Sequence, residues 1–449
     1  MSSPLTTTLA CLVLASCATR PSALPSRLDA WDERQAMFAE AHAASAAPLA
    51  SDADLNALLQ HARSHNPGLQ AAFERWKGAL EKVIGATTLP NPRLTLSAYL
   101  ADVETRVGPM QGRIGYAQPL PWPGKLAAAG KLAFEQAEAL RMQVEAERLM
   151  LDQSVRTAWW ELAWLDRAQQ ITKGSRDLLT HWEAIARARM ETGLGSHADV
   201  IRTQVELGKL EDRLQGMHDL AKPVRARLNS ALHRTTNAAL PQPDLQGVVT
   251  KELNEQSLSA SLLESSPHLL KLKHMRRAAQ YRVDLAELAG YPNLTVGADL
   301  TFIGDAQNSG MAGSGDDALA LTLGIELPIW RESYRSQERS AAALLRASGR
   351  ALEQAHNTLA AELEMAFFQH RDGTRRVALF QDSLIPKGQE ALRSLDTAYQ
   401  SGKGGFLDLI DAQRALLEFQ LQAAQAQTDR AKALAAIEHL SGVALHQRN

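Results

Sequence analysis

The chain has 449 residues, a formal net charge of −2 and 5% aromatic residues. A near-neutral balance lacks the basic face that a nucleic-acid binder presents, so no nucleic acid is expected as a partner. No run of eighteen or more apolar residues offers a membrane-spanning helix beyond the N-terminus, and the Ala-, Leu-, Gln-, Glu- and Arg-rich composition is that of long helices packed through small side chains.

The first twenty residues hold the only two cysteines, Cys11 and Cys17, in "LACLVLASCATR". A short apolar run followed by small residues reads as a secretory signal over residues 1–16. Leu14-Ala15-Ser16-Cys17 resembles the bacterial lipobox, which makes Cys17 the expected site of lipidation and Ala18, the next residue, a pointer to the outer membrane. No Lys or Arg precedes the apolar run, and an ordinary signal peptide that happens to contain Cys is the alternative. Residues 17–50, rich in Ala, Ser and Pro, read as a lipid-anchored tether. With no further thiol, neither disulfides nor a Cys-based metal site are expected, and no cofactor is.

From residue 51 the chain reads as two copies of one pattern, residues 51–247 and 248–442, with a short tail over 443–449. Pro67 and Pro92 recur as Pro267 and Pro292, offset by 200; Gly193, Asp199 and Gln204 recur as Gly402, Asp408 and Gln413, offset by 209. The nine extra residues fit the longer loop "IGDAQNSGMAGSGDD" at 303–317. Each copy predicts a helix (67–88; 267–289), two strands (92–102 and 111–119; 292–303 and 318–328), a very long helix (124–191; 332–400), a glycine break and a second long helix (197–233; 406–441).

The strand segments alternate. Leu319, Leu321, Leu323, Ile325 and Leu327 share one face, opposite Thr322, Gly324 and Glu326. A half-buried strand of a soluble sheet and an outer-membrane barrel strand both alternate in this way. Four strands cannot close a barrel alone, and a membrane tolerates no open edge, so a membrane reading requires a barrel shared between chains. Prolines 119, 121, 123 and 328 punctuate the strand-to-helix junctions, where a missing N–H is tolerated. A helix from 124 to 191 extends roughly 100 Å at about 1.5 Å per residue, more than a compact globule needs.

These features resemble the TolC-type outer-membrane efflux proteins. The most specific part is Tyr399-x-x-Gly402 followed by Phe406-Leu407-Asp408-x-x-Asp411-Ala412-Gln413. The stretch "ETRVGPMQGRIGYAQPLPWPGKL" at 104–126 resembles the heavy-metal efflux branch more specifically. The resemblance implies a mainly α chain with a small β part. Long antiparallel helical hairpins form a periplasmic α-barrel, and four strands per chain contribute to a trimeric twelve-stranded outer-membrane β-barrel. It further implies an exit duct for efflux served by a periplasmic adaptor and an inner-membrane pump, with metal cations or organic drugs as cargo.

Glycines 193, 195, 402, 404 and 405 then lie at the helix reversals that form the periplasmic tips. Asp408 and Asp411, three apart, share a helix face, which the resemblance points at the threefold axis as a ring of carboxylates at the aperture. Ordinary solvated first-turn acids complementing the helix dipole are the alternative. The family's tip-closing links involve residues at the positions of Tyr399 and Asp199; the basic residue expected two places after Gly402 is absent, Gly404 standing there, with Lys403 beside it. "GLGSHA" at 193–198 mimics a dinucleotide fingerprint, but a helix rather than a strand precedes it. His61 and His65, four apart, suit a solvated helical pair better than a metal site. A lipid-anchored coiled-coil scaffold and a periplasmic enzyme are the competing classes. The alternating strands have no use in the first, and no GxSxG, HExxH or P-loop supports the second.

Overall fold

The computed structural model describes residues 20–44, 52–243, 245, 253–307 and 310–445. Cys11, Cys17 and the signal segment lie outside them. In chain order the elements are α1 (Leu24–Ala44), α2 (Leu55–His65), α3 (Pro67–Thr87), β1 (Arg93–Thr105), β2 (Gly108–Leu120), α4 (Lys125–Glu191) and α5 (His197–Ala231). The second repeat gives α6 (Glu255–Ser265), α7 (Pro267–Ala289), β3 (Asn293–Ile303), β4 (Ala318–Glu326), α8 (Arg331–Ala378), a π turn (Leu379–Leu384), α9 (Ile385–Gln400) and α10 (Phe406–Ser441).

Several expectations are corrected. Part of the tether is helix α1, with Leu24 and Trp31 buried, because an Ala-rich segment with an apolar stripe favours helix once it has a surface to cover. Each repeat opens with a short helix not read from the sequence, α2 or α6, capped by the Asp54 or Asn254 side chain. The long second-repeat helix is interrupted by the π turn just before Pro386. Among the described residues no helix is long and apolar enough to cross a membrane.

The chain divides into two compact units. The first draws on residues up to 32, 74–142 and 271–353. It holds one antiparallel sheet of order β1-β2-β3-β4. The register puts Leu94 against Tyr116, Ile114 against Leu300 and Leu300 against Leu319, so one face of the sheet is apolar from edge to edge. That face is bare: Leu96, Leu100, Leu319, Leu321 and Leu323 are each at least 69% exposed. The opposite face carries Thr95, Arg113, Asp299 and Thr322, with Arg113 Nη2 2.8 Å from Asp299 Oδ2. Gly115 makes room for that pair, since a Cβ there would stand 2.4 Å from Asp299 Oδ1. Among the described residues, β1 and β4 each have one edge without a partner.

Pro121, Pro123 and Pro328 fall between strand and helix as expected, whereas Pro119 lies inside β2 opposite Thr295. Trp122 stacks on Tyr291 at 5.3 Å, and Lys125 Nζ donates to Asn293 Oδ1 at 2.8 Å, tying the two junctions together.

The second unit, residues 33–73, 143–270 and 354–445 among those described, is helical. One apolar core joins Leu58 and Ala62 of α2, Val155 to Ala168 of α4, Val224 and Leu228 of α5, and Ala424 and Ala431 of α10. A second core joins Trp182, Val200, Leu392, Tyr399, Phe406 and Leu409. Arg156 and Glu438 form a buried ion pair between α4 and α10, 8% and 4% exposed, and burial pulls the Arg156 guanidinium down to about 10.

Candidate functional site

The two helix reversals are built alike. At the first, Gly193 N–H donates to Met190 O at 3.0 Å and Leu194 N–H to Arg189 O at 2.8 Å; at the second, Gly402 N–H donates to Tyr399 O at 3.1 Å and Lys403 N–H to Ala398 O at 2.9 Å. Both are Schellman closures, in which the residue after the helix turns left-handed to recover orphan carbonyls. Gly193 and Gly402 have φ of +74° and +76°, the conformation that excludes a side chain cheaply only at glycine. Gly195 and Gly404 serve a different need: a Cβ at either would lie 2.9 Å from the Cβ of Arg189 or Ala398.

The helices that restart differ. Ser196 caps α5, its Oγ accepting from Ala198 N–H at 3.1 Å, while Gly405 at the equivalent place in α10 has no side chain to do so. The Asp408 carboxylate lies near that place without capping it: a Cβ on Gly405 would stand 2.9 Å from Asp408 Oδ2. Asp408 is exposed and stands in the first turn of α10. Asp411 is exposed as well, but its Oδ1 lies 3.1 Å from Arg414 Nη1. Arg414 in turn donates through Nε to Glu206 Oε2 at 3.0 Å, and Lys209 reaches the same carboxylate at 2.8 Å. These bonds from Arg414 and Lys209 hold the Glu206 carboxyl below the usual carboxylate range. The two aspartates, equal in the sequence, therefore differ in free charge.

Tyr399 is 4% exposed and packs on Phe406 at 5.1 Å. Its hydroxyl is covered and has no hydrogen-bond partner among the described residues. Burial first, and the Asp199 charge second, push the phenol above its ordinary value. Asp199 is 3.8 Å from Arg202 on its own helix and gives Tyr399 no hydrogen bond. A basic residue that the sequence did not flag stands beside Tyr399. Arg189 stands over the Tyr399 ring at 4.8 Å and donates from Nη1 to Tyr399 O at 2.6 Å. Lys403 is an exposed turn residue. The repeat gave no signal for Arg189, because the offset of 209 puts Ala398 at its place before the second glycine break.

His61 and His65 do not stand solvated. Their rings stack at 4.1 Å, half-buried, and His65 Nδ1 lies 2.9 Å from His61 O. Burial and the neighbouring ring lower the His61 pKa. Parallel stacked rings do not aim their nitrogens at one ion.

A sheet bare on its apolar face, polar on the other and open at both edges, joined to very long helices that reverse at glycine tips, defines the subunit of an outer-membrane channel. The profile of the outer membrane efflux protein family matches residues 58–232 and 258–443, and the chain belongs to that family. It is 23% identical over 371 residues to the cobalt-zinc-cadmium resistance protein CzcC of Cupriavidus metallidurans, covering 82% of this chain and 85% of that one. Its fold is similar to that of the outer membrane protein VceC of Vibrio cholerae, with a TM-score of 0.72 at 20% identity, covering 86% of this chain and 96% of that one. The MtrE outer membrane channel of Neisseria gonorrhoeae, in its open state, gives 0.71 at 18% identity, covering 86% and 88%.

Proposed function

We propose that three copies of this chain close one twelve-stranded barrel in the outer membrane and continue it as a helical tunnel into the periplasm. A periplasmic adaptor and an inner-membrane pump deliver cargo to that duct. The observation that carries this reading is the four-stranded sheet with its bare apolar face and two unpartnered edges, because neither water nor lipid accommodates it alone. In a ring, the β4 edge of one copy pairs with the β1 edge of the next. The purified protein should be trimeric in detergent; a well-dispersed monomer with an intact strand signal would sink the model. The duct is passive, and Cys17 anchors its start to lipid by thioether and acyl linkage. Cys17→Ser should abolish lipid labelling.

At the tip, Asp408 and Asp411 of three copies ring the aperture and favour cations, and Tyr399, Asp199 and the glycine reversals shape its closed form. Similarity to CzcC favours metal cations over organic drugs as cargo. A metal-sensitive host carrying the matching pump and adaptor but lacking its own outer-membrane component should regain resistance with this chain; rescue from organic drugs alone would favour the other cargo.

A further inference from the structure

The internal repeat gives the first unit two equivalent grooves, and one of them is filled. In the first repeat α1 lies over α3 and α4. Leu24 and Trp31 are buried, Arg27 Nε stands 2.9 Å from Glu138 Oε1, and Lys77 Nζ lies 4.3 Å from the centre of the Trp31 ring. The offset of 200 relates Lys77 of α3 to Arg277 of α7, and that of 209 relates Glu138 and Arg141 of α4 to Ala347 and Arg350 of α8. At this equivalent place the second repeat has an open groove of about 790 Å³, lined by Lys273, Arg276, Arg277, Arg346, Arg350 and Glu353.

The charge has been inverted between the two. The filled groove presents Glu138 to an arginine of α1, whereas the open one has alanine at that place and five basic side chains against one acid. Glu353 is engaged with Arg350 at 2.7 Å, while Arg276, Arg277 and Arg346 are exposed with no ion-pair partner among the described residues. Gly349 leaves the floor of the groove open, since a Cβ there would meet no atom within 4 Å. A second α1 is poorly suited, because it would bring Arg27 against this basic surface, and the chain's own α1 is already seated.

We propose that the α7–α8 groove is the docking seat of an acidic amphipathic helix belonging to a partner polypeptide. The filled groove shows that the equivalent pair, α3 and α4, accepts a third helix, and the changed charge at α7–α8 sets the sign of its occupant. Clustered charges of one sign govern partner choice and association rate more than affinity, so the interaction is salt-sensitive.

The test uses the purified full-length protein and a fluorescent peptide with the α1 sequence, residues 24–44, carrying Arg27→Glu and Arg34→Glu. Fluorescence anisotropy should show binding at low salt that fades at high salt. The Arg276→Glu/Arg277→Glu variant should bind at least about tenfold more weakly. Gly349→Leu keeps every charge but fills the groove, and it too should lose binding while oligomeric state and circular dichroism stay unchanged. Absence of binding to the unmodified protein, or equal binding to either variant, overturns the proposal. So does equal binding of a scrambled peptide of the same charge, which would mean charge without helix. Tighter binding of the unaltered α1 peptide would assign the groove to a second copy of this chain instead.

Discussion

Arg189 and Tyr399 hold the two helix reversals together: the guanidinium covers the ring at 4.8 Å and donates to the tyrosine's own carbonyl at 2.6 Å. A charged donor on a helix-terminal carbonyl contributes about 1.5–3 kcal/mol, and a cation over an aromatic face adds about 0.5–1 kcal/mol. Arg189→Ala should therefore loosen the tip locally while leaving the β1–β4 sheet unaffected. Hydrogen exchange should quicken at amides 396–403 and not in β1–β4. Unchanged exchange at the tip would show that the pair is incidental.

The Tyr399 phenol is held protonated above its ordinary value by burial and by Asp199. A buried acid whose folded pKa is raised keeps its proton where the unfolded chain has lost it. Its stabilising contribution is complete below a pH of about 10 and is lost as pH rises from there through the folded pKa. An ultraviolet titration of tyrosinate should show one late-titrating phenol, absent from Tyr399→Phe. That substitution removes a covered hydroxyl with no hydrogen-bond partner among the described residues, so stability at neutral pH should be unchanged or slightly higher.

The aspartates at the start of α10 should not be equivalent. Asp411 is paired with Arg414, which also binds Glu206, whereas Asp408 has no basic partner of this kind among the described residues. In planar bilayers, multivalent cations added from the periplasmic side should block the channel. Asp408→Ala should relieve that block more than Asp411→Ala, the double variant should relieve it most, and Lys403→Ala should change little. An equal effect of the two single variants would mean that Arg414 does not neutralise Asp411 in the assembly.

The two classes of tip glycine should respond differently to alanine. At Gly402 a Cβ meets nothing closer than Arg189 Nη2 at 3.8 Å, so the cost is the left-handed backbone alone, about 1–2 kcal/mol. At Gly404 the backbone is ordinary but the Cβ collides with Ala398 Cβ at 2.9 Å and Tyr399 N at 3.0 Å, so the turn itself must shift. Limited trypsin cleavage after Lys403 reads this locally, and Gly404→Ala should accelerate it more than Gly402→Ala.

Breaking the buried Arg156–Glu438 pair from one side leaves an uncompensated charge, at a cost of about 3–5 kcal/mol. Glu438→Ala and Arg156→Ala should each lower the apparent unfolding temperature, measured at one scan rate. Arg156→Met combined with Glu438→Leu should recover most of the loss; additive losses in the double variant would contradict a coupled pair.

The parts of this molecule with a period were legible in the sequence. The expected 267–289 helix is Pro267–Ala289, and the expected 292–303 strand is Asn293–Ile303, because alternation and helical spacing are local. The glycine reversals were legible for the same reason. What escaped depends on residues far apart in the chain. Arg189 meets Tyr399 across 210 positions, and Arg414 meets Glu206 across 208. Helix α1 owes its form to the α3–α4 surface it covers. The π turn before Pro386 has no local signature either, for Pro223 sits inside α5 without one.

The order of the strands also fixes a timetable. Pairing of β2 with β3 joins Met110 to Ile303 and Leu120 to Leu294, so no turn can bring them together early. A chain halted before Asn293 owns only the β1–β2 hairpin, and a lone two-stranded hairpin is marginal in water. The apolar face therefore ripens late, once the chain has passed β4 at Glu326 in the second repeat, and pairings of such long separation are intrinsically slow. Delay of this kind keeps the greasiest surface of the molecule from existing until the strands of both repeats are present to be carried together to the bilayer.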